Sequence, residues 1–371
     1  MKRLFFSIAA CLLLLLLPGC WDQDLLKEAK LVYGFAYDIT PDGKLVATIA
    51  FRETKPGQNP LPRNEVWSSM ANTPRQNRDH LDTQIGGNYR SYKQRISLYG
   101  EELVKRDLYP LLDVIFRDPK NPVDNKVVVV KGKATEVLRL KQVEETMVAE
   151  YLEKLIESME NLTKVPRVTP QTIWPLILDP GQDFALPYLT KTDGGKVKVL
   201  GMAMFHERHF TKPMIGSDVT LYLLLKGERG KTTRFTEKVN PKRNPHTEKY
   251  ISIDVKNAKN KMDVKVQSDH QIDVDLNLQL NVAIVEYAPD RLFSNRERAK
   301  LEKKLSKALT KQAHKVVKQM QEAGFDGFGV GRQLIAHHPD VWKKVNWSTD
   351  YRKVRFHPSV QVQIIGNGII E

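Results

Sequence analysis

The chain has 371 residues, with 58 Lys and Arg against 44 Asp and Glu for a net charge of +14, and only two cysteines, Cys11 and Cys20. So few cysteines exclude a multi-disulfide framework and a zinc site built from cysteine pairs. The length exceeds what one hydrophobic core usually serves, so two or three domains are expected, and no apolar run after Cys20 approaches the ~18 residues of a membrane-crossing helix.

The chain opens with Lys2 and Arg3, then an uncharged run from Leu4 to Leu17. As a helix that run spans about 20 Å, short of a hydrocarbon core of about 30 Å. With Gly19 before Cys20, residues 1–20 read as a lipoprotein signal peptide whose cleavage leaves an acylated Cys20 at the mature N-terminus. An ordinary signal peptide ending in Cys and an uncleaved anchor are the alternatives. Cleavage at Cys20 leaves 56 basic and 44 acidic residues, a net +12. A lipidated Cys20 would leave the mature chain without a free thiol, which excludes a catalytic cysteine.

From Leu31 to Thr54, two apolar runs flank Thr40-Pro41-Asp42-Gly43, a hairpin signal. Lys55 to Arg78 carries four prolines and little periodicity and reads as a long functional or mobile loop. A polar helix is expected near 79–88, a strand over QRISLY, and helical spacing of Leu103, Leu108, Leu111, Leu112 and Ile115 around a break at Asp107 to Pro110. Val127 to Val130 reads as a strand buried on both faces, which makes this first region an α/β unit. Met147, Tyr151, Leu155 and Met159 repeat every four residues as one face of an amphipathic helix. A loop punctuated by Pro166, Pro170, Pro175 and Pro180 follows, then a strand over VKVLGMAMF and a short helix from Ser217 to Lys226, with Ser217 as its cap and Gly227 as its stop.

The last third has the clearest pattern. Ile272, Val274, Leu276, Leu278, Leu280, Val282 and Ile284 alternate with mostly polar residues, which predicts a half-exposed antiparallel strand. Segments around 251–255, 264–266 and 360–364 are its expected neighbours. The covering element is a helix from about Asn295 to Ala323, with Ser294 and Glu297 at capping-box spacing, Gly324 as C-terminal cap, and Leu301, Leu305, Ala308, Leu309, Val316 and Met320 on one face. The expected fold class is therefore α+β, in three mixed domains, the C-terminal one an antiparallel sheet covered by a long helix. The domain bounds are 21–135, 136–226 and 227–371.

The common catalytic signatures are missing from the sequence. His206-Glu207-Arg208-His209 is one residue short of a zinc-hydrolase pair, and His337-His338 point about 100° apart on a helix. Gly327 to Gly331 follows a helix and lacks phosphate-loop spacing, and no Gly-x-Ser-x-Gly elbow occurs. No enzyme activity, metal or cofactor is expected. Charge is more informative, since residues 295–323 hold nine basic and three acidic residues. Lys300, Lys304, Lys307, Lys311, Lys315 and Lys318 repeat at spacings of four and three and line one stripe away from the apolar face. The stripe reads either as a solvated face or as a surface for anionic lipid headgroups or an acidic partner. Nucleic acid is not expected as a partner of an exported, anchored chain.

Several stretches together resemble the Ger(x)C spore-germination lipoproteins. These are Cys20-Trp21-Asp22, then Gly100-Glu101-Glu102 with Leu111, Asp113, Arg117, Asp118 and Pro119, then Gly201, Ala203 and Phe205, and the tail DGFGVGRQLIAHHPDVWKKVNW with Asp326, Gly329, Gly331, Trp342 and Trp347. The resemblance spans essentially the whole mature chain. It implies a C subunit of a nutrient germinant receptor that works with two integral membrane subunits at the spore's inner membrane, on the outer face of the cytoplasmic membrane. It also implies three α+β domains, no known catalytic activity, and a nutrient held by the complex rather than by this chain. Cys20 is the functional position it carries over. A lipid-anchored solute-binding or cell-wall-processing protein is the alternative.

Overall fold

Val127 to Val130 are all fully buried, and that fact sets the layers. Val127 and Val129 join one core with Leu103, Leu108, Leu111, Leu112 and Ile173, while Val128 and Val130 join another with Val137, Leu138, Leu152 and Ile156. A strand that feeds alternate side chains into two cores lies mid-sheet with helices on both faces. The computed structural model describes residue 3 and residues 29–54, 62–86, 88–119, 121–140, 146–267, 271–289, 292 and 294–366. Residues 1–28 apart from Arg3, Cys20 among them, and residues 55–61 of the Pro-rich stretch lie outside the described residues.

In chain order the elements begin with strands β1 (Ala29–Ile39), β2 (Leu45–Thr54) and β3 (Pro62–Ala71), helix α1 (Pro74–Asp82), and strands β4 (Asn88–Arg90) and β5 (Ile96–Gly100). Helices α2 (Glu101–Val104) and α3 (Tyr109–Arg117), strand β6 (Lys126–Lys131), and helices α4 (Ala134–Leu138), α5 (Val148–Asn161) and α6 (Pro170–Ile177) follow. Strands β7 (Ala185–Lys191), β8 (Val197–His206) and β9 (His209–Ile215) complete a nine-stranded mixed sheet in the order β3-β2-β1-β5-β6-β7-β8-β9, with β4 paired to β1. The expected boundary at 135/136 falls after β6, and β7 pairs directly with β6, Val129 opposite Tyr188.

Several expectations are corrected here. Half of the Pro-rich stretch is regular: β3 pairs with β2 at the edge of the sheet, where prolines are tolerated, and Thr73 caps α1 with Pro74 in its first turn. The expected helix near 79–88 is thus α1, starting and ending earlier. Pro170 likewise opens α6 under a capping box from Thr169 instead of marking a loop. On α5 the buried stripe is Val148, Leu152 and Ile156, one position on from the expected one, with Tyr151 and Met159 at its margin.

Helix α7 (Ser217–Lys226) is buried all round from Val219 to Leu225, and Gly227 ends it in the left-handed conformation, but Gly216 rather than Ser217 stands at its N-cap. It belongs to the core of the second sheet, built from β10 (Arg234–Lys238), β11 (Tyr250–Val266), β12 (Ile272–Glu286) and β13 (Arg355–Gly366). Met202, Met204 and Met214 of β8 and β9 enter that same core, so the two sheets meet without a solvent gap at this point. The two segments expected around 251–266 are one long strand with two register shifts.

The long helix α8 (Asn295–Ala323) covers this sheet with Leu301, Leu305, Leu309, Ala313, Val316 and Met320 inward, and Gly324 caps it in the left-handed conformation. Ala308 sits at the margin. The expected capping box is not formed: Ser294 makes no side-chain cap, and Glu297 reaches Lys300 at 2.6 Å. The sheet is not wholly antiparallel: β10-β11-β12 are, but β13 runs parallel to β12. A helix laid across one face returns the chain in the direction it came, which makes the next strand parallel. Strand β13 is an edge, and α8 closes it. Val360, Val362 and Ile364 donate their backbone N–H groups to Thr310 Oγ1 (3.0 Å), Ser306 Oγ (3.0 Å) and Glu302 Oε1 (2.8 Å). Acceptors every four residues on the helix meet donors every two on the strand, and an edge that invites foreign strands is satisfied internally. Three short helices, α9 (Val330–His337), α10 (Pro339–Trp342) and α11 (Trp347–Asp350), link α8 to β13.

Candidate functional site: an inter-sheet cleft and a basic helix face

The turn after α8 is built on one carboxyl. Asp326 is buried; its Oδ1 accepts N–H groups of Gly329 (2.9 Å) and Val330 (3.0 Å), and its Oδ2 those of Gly331 (2.8 Å) and the Trp347 indole (3.1 Å). Burial pushes its pKa up to about 7, against the pull of those donors. The glycines have a steric role. A Cβ on Gly331 would overlap Gly181 and the Trp347 indole, so only glycine permits this approach between the tail and the loop before β7.

That loop contributes Asp183. Its Oδ1 accepts the Glu207 N–H at 2.7 Å, and its Oδ2 accepts the Asp326 N–H at 2.8 Å and lies 3.3 Å from His206 Nδ1. His206 ends β8, and its Nε2 is 2.8 Å from Ser348 Oγ on α11. The hydrogen bond to Asp183 raises the imidazole pKa, with burial opposing it. Asp183, His206 and Ser348 thus form one hydrogen-bonded line across the junction of the two sheets. They border a cleft of about 740 Å³ whose wall also carries Asp107, Asp179, Glu207 and Trp342. Arg208 lies over the Tyr109 ring and 3.5 Å from Asp107, and Arg332 pairs with Asp179 at 3.2 Å.

The sequence-predicted residues fall elsewhere. All six lysines of the stripe are exposed on α8, but three are engaged. Lys300 pairs with Glu297 (2.6 Å), Lys315 with Asp218 (2.8 Å), and Lys304 donates to Asn240 (2.8 Å). Asp218 is raised by burial, yet Lys315, Gln312 and Gln319 together hold it below its ordinary value. Lys307, Lys311 and Lys318 have no side-chain partner among the described residues. Cys20 lies outside those residues. The His206–His209 segment is the β8–β9 turn, as its strand-end context suggests, with His206 opposite His209 across the hairpin. Among the described residues no group of three His, Cys, Asp or Glu is placed to hold a metal ion, and no helix is long and apolar enough to cross a membrane.

The other motif residues have structural partners as well. A Cβ on Gly100 would overlap the Asp38 carboxylate, which caps α4 by accepting from Ala134 and Thr135 N–H at 2.8 Å. Glu101 accepts from the Tyr188 hydroxyl at 2.6 Å, Asp113 pairs with Arg117 at 2.7 Å, and Asp118 with Arg78 at 3.2 Å. Asp183 and Ser348 sit in no recognisable sequence pattern, and no local signal could have found them.

Comparisons with known proteins identify a family. Residues 22–191 match the family described as "Spore germination protein N-terminal domain", and residues 200–368 match "Spore germination B3/ GerAC like, C-terminal". The chain is 20% identical to the "Putative spore germination protein YfkR" of Bacillus subtilis (strain 168), over all of this chain and 98% of that one. Its fold is similar to the crystal structure of the GerBC protein, with a TM-score of 0.55 at 16% identity, over 90% of this chain and 97% of that one.

Proposed function

The chain belongs to the GerAC-like family of spore germination proteins, the C subunits of germinant receptors, and we propose that it serves there as a lipid-tethered subunit working by contact. In this reading Cys20 carries the acyl chains, the folded body sits on the outer face of the cytoplasmic membrane (the inner membrane of the spore), and α8 presents its lysines to acidic surface on two integral membrane subunits. The nutrient is held by the assembled receptor. Treating residues 21–135, 136–226 and 227–371 as three domains is part of the proposal, with the middle strands completing the sheet begun by the first.

The observation that carries it is the family match over both halves of the chain, joined to a helix face on which three of the six lysines, Lys307, Lys311 and Lys318, have no side-chain partner among the described residues. A tether raises the local concentration of partners, so modest interface affinity suffices. One acyl chain holds a protein to a membrane only marginally, and two hold it stably. Membrane fractionation of a Cys20→Ala variant tests the anchor: the variant is expected in the soluble fraction with germination lost. A variant that pellets with membranes and supports normal germination contradicts it.

A further inference from the structure

The line Asp183–His206–Ser348 joins residues 23 and 142 positions apart, which no sequence motif would connect. We propose that Ser348 is a nucleophile activated by His206 and Asp183, and that the cleft in front of it accepts small carboxylic esters. The proposal goes beyond the receptor role and does not depend on it.

The geometry assigns each group a part. Asp183 is fixed from both sides by backbone, at 2.7 Å from the Glu207 N–H and 2.8 Å from the Asp326 N–H, so its position is set independently of the histidine. A carboxylate at Nδ1 keeps the proton there and leaves the Nε2 lone pair facing outward. Ser348 Oγ lies 2.8 Å from that lone pair and has no other partner among the described residues. A hydroxyl whose one neighbour is a carboxylate-oriented imidazole is the activated arrangement of serine acyl transfer, recognised by geometry and not by chain order.

A cation stands close by. Both the Arg352 guanidinium and the His206 ring come within 3.5 Å of where a Gly324 Cβ would be, so the glycine that ends α8 leaves room for both. Arg352 makes no ion pair among the described residues and is exposed. Its positive charge opposes protonation of the His206 imidazole, which favours the free-base form that accepts the serine proton.

The cleft volume of about 740 Å³ suits a small molecule. Asp179 and Glu207 on its wall disfavour an anionic substrate, and Trp342 with Ile177 and Val345 offers apolar surface to an acyl group. In the reaction, Ser348 Oγ bonds to the ester carbonyl carbon as its proton passes to His206 Nε2. The C–O bond to the leaving alcohol then breaks, and His206 returns the proton to that oxygen. Water attacks the acyl-serine with His206 again as base, releasing the carboxylic acid and restoring Ser348.

The test uses the full chain purified in detergent and a fluorophosphonate, which bonds covalently to activated serines. The expected result is modification on the tryptic peptide 345–352 at Ser348, at a rate that rises with pH as His206 loses its proton. The rate should drop at least ~100-fold in His206→Gln, the scale of a lost general base, and modification should vanish in Ser348→Ala. Hydrolysis of p-nitrophenyl acetate should fall to the uncatalysed rate in the same Ser348→Ala protein, with melting temperatures confirming that each variant is folded. A folded wild-type protein left unmodified at Ser348, or modified equally fast in His206→Gln, overturns the proposal and leaves the three residues as a hydrogen-bonded strut between the sheets.

Discussion

The turn at Asp326 and the outer face of α8 are both polar, lie on adjoining stretches of chain, and differ in one respect that decides their roles. At Asp326 the polar groups are turned inward: three backbone N–H groups and the Trp347 indole converge on one buried carboxyl. Along α8, Lys307, Lys311 and Lys318 extend into solvent with no side-chain partner among the described residues. A closed polar network holds the fold together, and an open row of like charges is held there at some cost in self-repulsion. The residues that identify the family in the tail therefore explain architecture, while the residues suited to contact carry no motif.

The comparison can be broken at either end. The largest effect is expected from Asp326→Ala, which orphans four N–H donors; at about 1–3 kcal/mol for each that stays dry, a loss of about 4 kcal/mol is expected, measured by denaturant unfolding. A loss under 1 kcal/mol would mean that water already reaches the turn. Next is the edge of β13. Thr310→Ala and Ser306→Ala each remove an acceptor that backbone N–H groups use, and about 1 kcal/mol each is expected, with faster hydrogen exchange at Val360 and Val362.

A subtler effect concerns pH. The folded-state pKa of His206 is raised by Asp183, so its stabilising pairing is fully present below the unfolded value of about 6.5 and is lost as pH rises through the folded value. The melting temperature of the wild type should exceed that of His206→Gln most at pH 5.5, and the gap should narrow toward pH 8.5. Asp326, pushed up to about 7 by burial, acts in the same direction in both proteins, since its folded form also favours the proton, so the difference between them isolates the histidine.

How far the chain could be read in advance follows from which forces act locally. Strand β12 and helix α8 were legible to the residue at their cores because a period of two and a period of 3.6 are written directly in Ile272 to Ile284 and in Leu301 to Met320. Where local signals are ambiguous the reading failed. The prolines at 62, 74 and 170 read as loop markers, yet one sits on an edge strand and two open helices, positions where a missing N–H costs nothing. The parallel pairing of β13 depended on how α8 crosses the sheet, which no residue of β13 encodes. The junction was the least legible part. Asp183, His206 and Ser348 meet only because two sheets pack together, and nothing in the neighbourhood of any one of them announces the other two.

If the chain acts by contact through the open face of α8, as proposed, the integral membrane subunits should be recovered with it. A Lys307→Glu, Lys311→Glu, Lys318→Glu triple variant changes three residues without side-chain partners among the described residues, so its melting temperature should stay within about 2 °C of wild type. The receptor's membrane subunits are expected no longer to copurify with it from detergent-solubilised spore membranes, and germination is expected to fall with them. A triple variant that retains both partners at the wild-type level would contradict the proposal.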